Sequence, residues 1–501
     1  MTPANTTTIR AFFGQFWGLI LPNIVLWALI PGFLFGNLHV DTLEALYWAK
    51  EPALGYWKHP PLTTWLLGLV HFPGPYSIFA ILLLSQALTI ATAYFIWRIA
   101  RGLGQESAAQ LSVFLFFTST LASYYAIQIN HNSVLAPFMA ATLCYGIEYL
   151  ERRRLRTAIG LSIAVALGVY AKYEILFAVI PLIFLAIIIP RYRSAFLHWK
   201  SYGAIALTTL LISPHLYWMH IHGWSSLQHA ADSAPISTIL SVFEGFWGLL
   251  WGIVAIFLTP FLMLRLLKVE IPSLRLAKYF ASDEPYRIGW IILVISPLSV
   301  IGAGLITGQF VKSLWLIPIA PAISVGLALT LEHTGHKEFS ISQIRLTAKA
   351  MVGLSGLFWV YLLAGEVIGH PHEAYFSQTR PLAQQVEALW QRHQTKPLSC
   401  VIINEVKIGG SPTLWIKDKP LFIEVPFGPW ADEAKQNYCN EKGAITIELD
   451  EGGSANRYFS RLCEADSTPI HIKSLIGVTD TIWKGKLSYL PPLTESCTKM
   501  D

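Results

Sequence analysis

The stretch Asp41–Trp65, "DTLEALYWAKEPALGYWKHPPLTTW", decides how the rest of the chain is read. It lies between two apolar runs, near residues 14 to 34 and 77 to 97, each of the length that crosses about 30 Å of hydrocarbon. A plain turn between two spans needs no chemistry. This one holds Asp41, Glu44, Lys50, Glu51, Lys58 and His59 among Tyr47, Trp48, Tyr56, Trp57 and Trp65. Charges at a bilayer are costly and therefore point to function. Leu43, Leu46, Tyr47 and Leu54 recur at or near helical spacing, and Trp48 and Trp57 suit an interface, so an amphipathic helix on the membrane surface is expected.

The composition agrees with that setting. Of 501 residues, 53% are hydrophobic and 13% charged, against about 25% charged in soluble domains. The expectation is an α-helical polytopic membrane protein, and nucleic acid is excluded as a partner. Further apolar runs lie near 108 to 127, 133 to 150, 157 to 171, 174 to 190, 201 to 219, 241 to 264, 288 to 306, 314 to 331 and 348 to 368. With the first two they give eleven spans, or up to thirteen if the short fifth belongs to a re-entrant pair. Lys and Arg set the orientation. Arg10, Arg98, Arg101, the Arg152–Arg156 cluster, Arg191, Arg193, Lys200, Arg265 to Arg287, Lys337, Arg345 and Lys349 fall on one side, and only Lys50, Lys58, Lys172 and Lys312 on the other. The basic side is cytoplasmic, with the N-terminus inside. The first run reads as a retained signal anchor.

Eleven crossings place the polar tail outside. The chain then divides into a transmembrane part, 1–371, with its first outer loop at 35–76, and a tail, 372–501. The tail carries Cys400, Cys439, Cys463 and Cys497, an even number on an oxidising side, so two disulfides of open connectivity are expected. A zinc site is disfavoured because no Cys-x-x-Cys pair occurs. "PLSCVIIN" and "AITIEL" read as strands and "RPLAQQVEALWQRH" as a helix, which predicts a small α/β domain serving as a structural or acceptor-docking cap.

Outer charge gathers at few other places: Asn130, His131 and Asn132 in "QINHNS"; Lys172 and Glu174 in "VYAKYEI"; His215, His220 and His222 in "SPHLYWMHIHGW"; and Lys312 in "GQFVKSLWLIP". Lys172 and Lys312 suit an anionic lipid phosphate, with snorkelling as the plainer account. His220 and His222, two apart, point away from each other on a helix, which argues against a metal. An outer carboxylate with outer lysines matches one chemistry: a lipid phosphate held by cations leaves a sugar carbon while the carboxylate takes a proton from an acceptor hydroxyl.

Asp41–Trp48 as D-x-x-E-A-x-x-W, followed by G-Y-W-K-H-P-P-L at Gly55–Leu62, resembles the first-loop signature of bacterial GT-C glycosyltransferases of families 39 and 83. These include protein O-mannosyltransferases, aminoarabinose transferases of lipid A and galacturonic acid transferases of rhizobial lipopolysaccharide. The resemblance continues through Asn130–Asn132, Tyr170–Tyr173, Ser213–Trp218 and Lys312–Pro318. It implies a GT-C fold in a bacterial inner membrane and an inverting transferase that takes a sugar from a polyprenyl-phosphate-linked donor. It also implies Asp41 as the general base, Lys172, Lys312 and Lys58 near the donor phosphate, and His59, Tyr56, Asn130, His131, Asn132, Tyr173 and His215 lining the cavity. Many relatives have adjacent Asp-Glu, whereas Thr42 follows Asp41 here, so Glu44 stays open as an alternative base. A monophosphate donor needs little charge compensation, and no obligatory metal is expected. The acceptor implied is lipid A, lipopolysaccharide or another envelope lipid or glycan. A protein O-glycosyltransferase of the same fold, and a transporter or flippase of lipid-linked sugar, are the alternatives.

Overall fold

The computed structural model describes residues 3–232, 239–266, 268, 284–307, 318–332, 339–368, 374–425, 433–450, 467–474 and 483–492. Lys312, Cys463 and Cys497 lie outside the described residues. Apolar sequence becomes helix along the first three quarters of the chain: α1 (Pro3–Ile24), carried on by a π turn into α2 (Ile30–Leu34), then α3 (Val40–Trp48), α4 (Leu62–Val70), α5 (Ser77–Gly102), α6 (Glu106–Phe117), α7 (His131–Arg152), α8 (Leu155–Ala171), α9 (Leu176–Ile188), α10 (Pro190–Phe196), α11 (Trp199–Ile221), α12 (Ser225–Asp232), α13 (Ile239–Leu266), α14 (Glu284–Thr307), α15 (Ala320–Glu332) and α16 (Ile341–Ile368).

Among the described residues, seven helices are long and apolar enough to cross a membrane, or eight if the bent pair α9 and α10 forms one span. The described part of each of the eleven apolar runs includes helix, but α6, α8 and α15 are short. The run at 108–127 stops early for a local reason. Thr118, Ser119 and Ser123 turn their hydroxyls onto the carbonyls of Phe114, Phe116 and Ser119 at 2.7, 2.6 and 3.0 Å, offering the backbone an alternative to the helix. At the end of α9 the chain bends by 119°, where Pro190 starts α10 and keeps Ile189 extended.

The tail follows α16. It holds α17 (Arg380–His393), β1 (Cys400–Ile403), α18 (Val406–Gly409), β2 (Leu421–Glu424), α19 (Glu433–Lys442), β3 (Ala444–Leu449), β4 (Ser467–Ile472) and β5 (Trp483–Leu490). The sheet order is β2-β1-β3-β5-β4; β1 runs parallel to β2 and β3, and β5 antiparallel to β3 and β4. Cys400 and Cys439 form a disulfide across 39 residues of sequence; the expected pairing of the other two falls outside the described residues. Cys144 is free and buried.

The first outer loop departs from its surface reading. In α3, Thr42 to Tyr47 are all buried, because the helix is packed between the bundle and the tail. Thr42 donates to the Ile129 carbonyl at 2.7 Å, Asn37 donates to the Lys407 carbonyl at 2.7 Å, and Tyr47 stacks on Phe422 with ring centres 5.6 Å apart. The tail is tied further by Ser474, which donates to the buried Glu366 of α16 at 2.6 Å, and by the Gly36 and Asn37 amides, which donate to the Tyr375 carbonyl. A Cβ at Gly36 runs into the Ser377 carbonyl. Gly36→Ala therefore loosens the tail at a cost of about 1 to 3 kcal/mol, read as a lower thermal midpoint and new protease cuts in the tail; an unchanged midpoint and digest contradict this docking.

Candidate active site

The site is built on α3 and on the loop that follows it. His39 caps α3, its Nδ1 accepting the Asp41 amide at 3.3 Å, and lies 3.8 Å from the Asp41 carboxylate. The Asp41 side chain is 42% exposed. One turn on, Glu44 faces the interior, where its side chain is 7% exposed and accepts from the Lys58 ammonium. Lys58 also lies 3.9 Å from Glu424 of β2 and over the Trp57 ring at 4.7 Å. Burial pushes the Glu44 carboxyl up to about 7, against the pull of Lys58. Burial lowers the Lys58 pKa, but Glu44 and Glu424 outweigh it and raise it above the ordinary lysine value. Two carboxylates, one from the first loop and one from the tail, thus hold one cation.

The loop returns through a tight turn in which the Tyr56 and His59 backbones exchange hydrogen bonds at 3.0 and 3.2 Å. Tyr56 stacks on Trp48 at 5.2 Å, and its hydroxyl accepts from the Ala53 amide and donates to the Glu51 carbonyl; it braces the loop that carries Lys58. The turn delivers His59 onto His131, ring centres 3.8 Å apart, with His229 of α12 at 5.9 Å. Burial, His131, Lys172, His229 and Lys58 together hold the His59 imidazole well below its usual pKa, so it is neutral near pH 7.

His131 is placed by the start of α7. Asn130 accepts from the Asn132 and Ser133 amides at 3.0 and 3.1 Å, and its own amide donates to the Ser133 hydroxyl, a reciprocal cap. Among the described residues, Nε2 of His131 is buried without a hydrogen-bond partner, which is costly unless a ligand supplies one. Asn132 accepts from Lys172 at 2.8 Å, and Lys172 pairs with Glu174 at 2.7 Å. Tyr173 meets His215 Nε2 at 3.0 Å and Ser226 at 2.6 Å, and His215 is aligned by the Leu54 carbonyl at 2.7 Å from Nδ1. Trp218 stacks over His215 and covers Gly55, where a Cβ has no room.

The structure thus gathers Asp41, Glu44, Lys58, His59, Asn130, His131, Asn132, Lys172, Tyr173 and His215 at one end of the bundle, beneath the tail. His39, His229, Ser226 and Glu424 join them without having been singled out in the sequence. Glu424 reaches Lys58 across 366 positions of chain, and His229 sits in a short polar helix that carries no local sign of a site. Among the described residues, no group of three or more His, Cys, Asp or Glu side chains is arranged to hold a metal ion.

Residues 58–218 match the family model described as dolichyl-phosphate-mannose-protein mannosyltransferase. The chain is 24% identical over 224 residues to the lipid A galacturonosyltransferase RgtD of Rhizobium johnstonii, a match covering 44% of this chain and 47% of that relative. It is 22% identical over 378 residues to the lipopolysaccharide core galacturonosyltransferase RgtB of the same organism, covering 72% and 73%. The chain therefore matches about half the length of the first of these relatives and more of the second. The crystal structure of ArnT from Cupriavidus metallidurans bound to undecaprenyl phosphate superposes with a TM-score of 0.61 at 10% identity, covering 96% of this chain and 99% of that one. Its apo form gives 0.59 at 11% identity. The likeness shows the fold: a GT-C membrane bundle with a small C-terminal sheet domain.

The burial of Glu44 fixes a pH dependence. Its folded pKa of about 7 stands above the ordinary carboxyl value of 4.5, so the folded state holds the proton more tightly and stability falls as pH rises through that window. The loss levels off above pH 7 and is on the order of 3 kcal/mol. Thermal midpoints from pH 4.5 to 8 fall in the wild type and flatten in Glu44→Gln; equal slopes contradict the assignment.

Proposed function

We propose that the protein is an inverting glycosyltransferase that takes a sugar from a polyprenyl-phosphate-linked donor and passes it to an acceptor outside the cytoplasmic face of a bacterial inner membrane. The observation that carries this reading is the placement, at one end of the bundle, of an open carboxylate beside two largely buried, carboxylate-paired lysines. Lys58 and Lys172 face the donor phosphate, and the neutral imidazole of His59 and the unpartnered Nε2 of His131 supply hydrogen-bonding nitrogens. Asp41, open to solvent, is the base. It takes the proton from the acceptor hydroxyl as that oxygen bonds to the anomeric carbon, and the phosphate leaves with the electron pair of the broken C–O bond. Glu44, held by Lys58, positions that lysine rather than acting as the base.

The acceptor we favour is lipid A, lipopolysaccharide or another envelope lipid or glycan, the class named for the two rhizobial relatives. The asymmetry of Lys and Arg supports a cytoplasmic N-terminus and a periplasmic tail. Lys58 and Lys172 exchange a carboxylate partner for the monophosphate when donor binds; in this reading no obligatory metal enters the reaction, and chelation with EDTA leaves the rate within about twofold.

Asp41→Asn lowers transfer by about 10²-fold or more at equal protein in membranes; near-normal transfer removes Asp41 as the base. Lys172→Ala raises the apparent KM for donor with little change in that for acceptor; an unchanged donor KM removes its phosphate role.

A further inference from the structure

A second polar pocket lies on the far side of α3, at the seam with the tail. It encloses about 30 Å³ and is lined by Lys50, Gly68, His71, Thr413, Lys419 and neighbouring apolar side chains of α3, room enough for a small polar group. His71 is 5% exposed. It hydrogen-bonds the Thr413 backbone through one ring nitrogen, and its Nε2 is buried without a partner among the described residues. Lys50 and Lys419 stand exposed at the mouth, and Lys419 is held there at a φ of 47°, a conformation rare for side chains other than Gly and Asn. Of the nearby carboxylates, Asp418 accepts from the Leu398 amide at 3.0 Å, and Glu51 pairs with Lys435 at 2.6 Å. Leu69, Phe72 and Tyr76, next to His71 in the chain, are 74%, 71% and 77% exposed.

Three chemistries therefore adjoin: a cationic mouth, a buried nitrogen that needs a donor, and an apolar edge. We propose that this pocket binds the headgroup of an anionic membrane lipid, with a phosphate between Lys50 and Lys419, a headgroup hydroxyl donating to His71, and the chains along Leu69, Phe72 and Tyr76. Lysines hold the phosphate as point charges, and the hydroxyl fills the hydrogen bond that His71 lacks. Asp41 stands in the first turn of α3 and Lys50 lies beyond its last residue, Trp48, roughly 10 Å along the axis from Asp41, so the lysine pair is separate from the donor phosphate. The proposal rests on the membrane placement of the bundle and not on sugar transfer.

Native mass spectrometry of the full-length protein in micelles tests it without donor or acceptor. Offered phosphatidylglycerol, phosphatidic acid and phosphatidylcholine of matched chains, the wild type retains phosphatidylglycerol several-fold over phosphatidylcholine, and also over phosphatidic acid, which lacks the headgroup hydroxyl. Lys50→Gln with Lys419→Gln, both on the surface, brings retention to parity at an unchanged thermal midpoint. His71→Phe removes the advantage over phosphatidic acid alone. Equal retention by the wild type, or a preference that survives the double lysine variant, overturns the site. Displacement of the lipid by inorganic phosphate alone at millimolar concentration assigns the pocket to free phosphate and also overturns it.

Discussion

The ion pair between Lys58 and Glu44 is the constraint on which the rest of the site depends. Neither group is well placed alone: an unpaired buried charge costs about 3 to 5 kcal/mol, and without Glu44 the ammonium of Lys58 keeps only Glu424, at 3.9 Å. The first loop must therefore fold back so that the residue 14 positions after Glu44 meets it, and the Tyr56–His59 turn does this. The same pair recruits the tail, because Glu424 of β2 faces Lys58 from above and Phe422 packs on Tyr47. The tail closes the site, which gives physical content to a domain that has no phosphate loop or nucleophile elbow in its sequence.

Fixing Lys58 also fixes its neighbours. Trp57 lies under its ammonium, and His59 is carried onto His131, whose own position follows from the Asn130 cap. Lys172, at the C-terminal end of α8, is tied to the same cap region through Asn132. Cations and imidazoles are thus held by elements that start or end at one level of the bundle. Positions at helix ends are suited to this, since they combine the stiffness of the span with access to the water-facing side.

Much of this was legible in the sequence, for a physical reason: charge next to apolar spans is rare, so each instance stands out. That logic found Asp41, Glu44, Lys58, His131 and Lys172, and the motif order implied the GT-C fold. It also misread α3 as a surface helix, because a helix between a bundle and a cap has the same apolar spacing as one on lipid. It read a full span at 108–127, where the hydroxyls of Thr118 and Ser119 end the helix. Glu424 and His229 were missed because their partners are far away in the chain and their local sequences are ordinary for a strand and a polar helix. The choice between Asp41 and Glu44, left open by the "DTLE" spacing, gains a geometric basis for its reading: one is open and the other spent on Lys58.

Transfer and transport make opposite demands on a donor lipid, and one measurement separates them. The purified protein is placed in sealed vesicles with a polyprenyl-phosphate-linked sugar and a lipid A acceptor, and the lipids are followed by mass spectrometry. Our account predicts that the acceptor gains one sugar mass while free polyprenyl phosphate appears in equal amount. Intact donor that only changes leaflet, with no sugar gained by the acceptor, contradicts it.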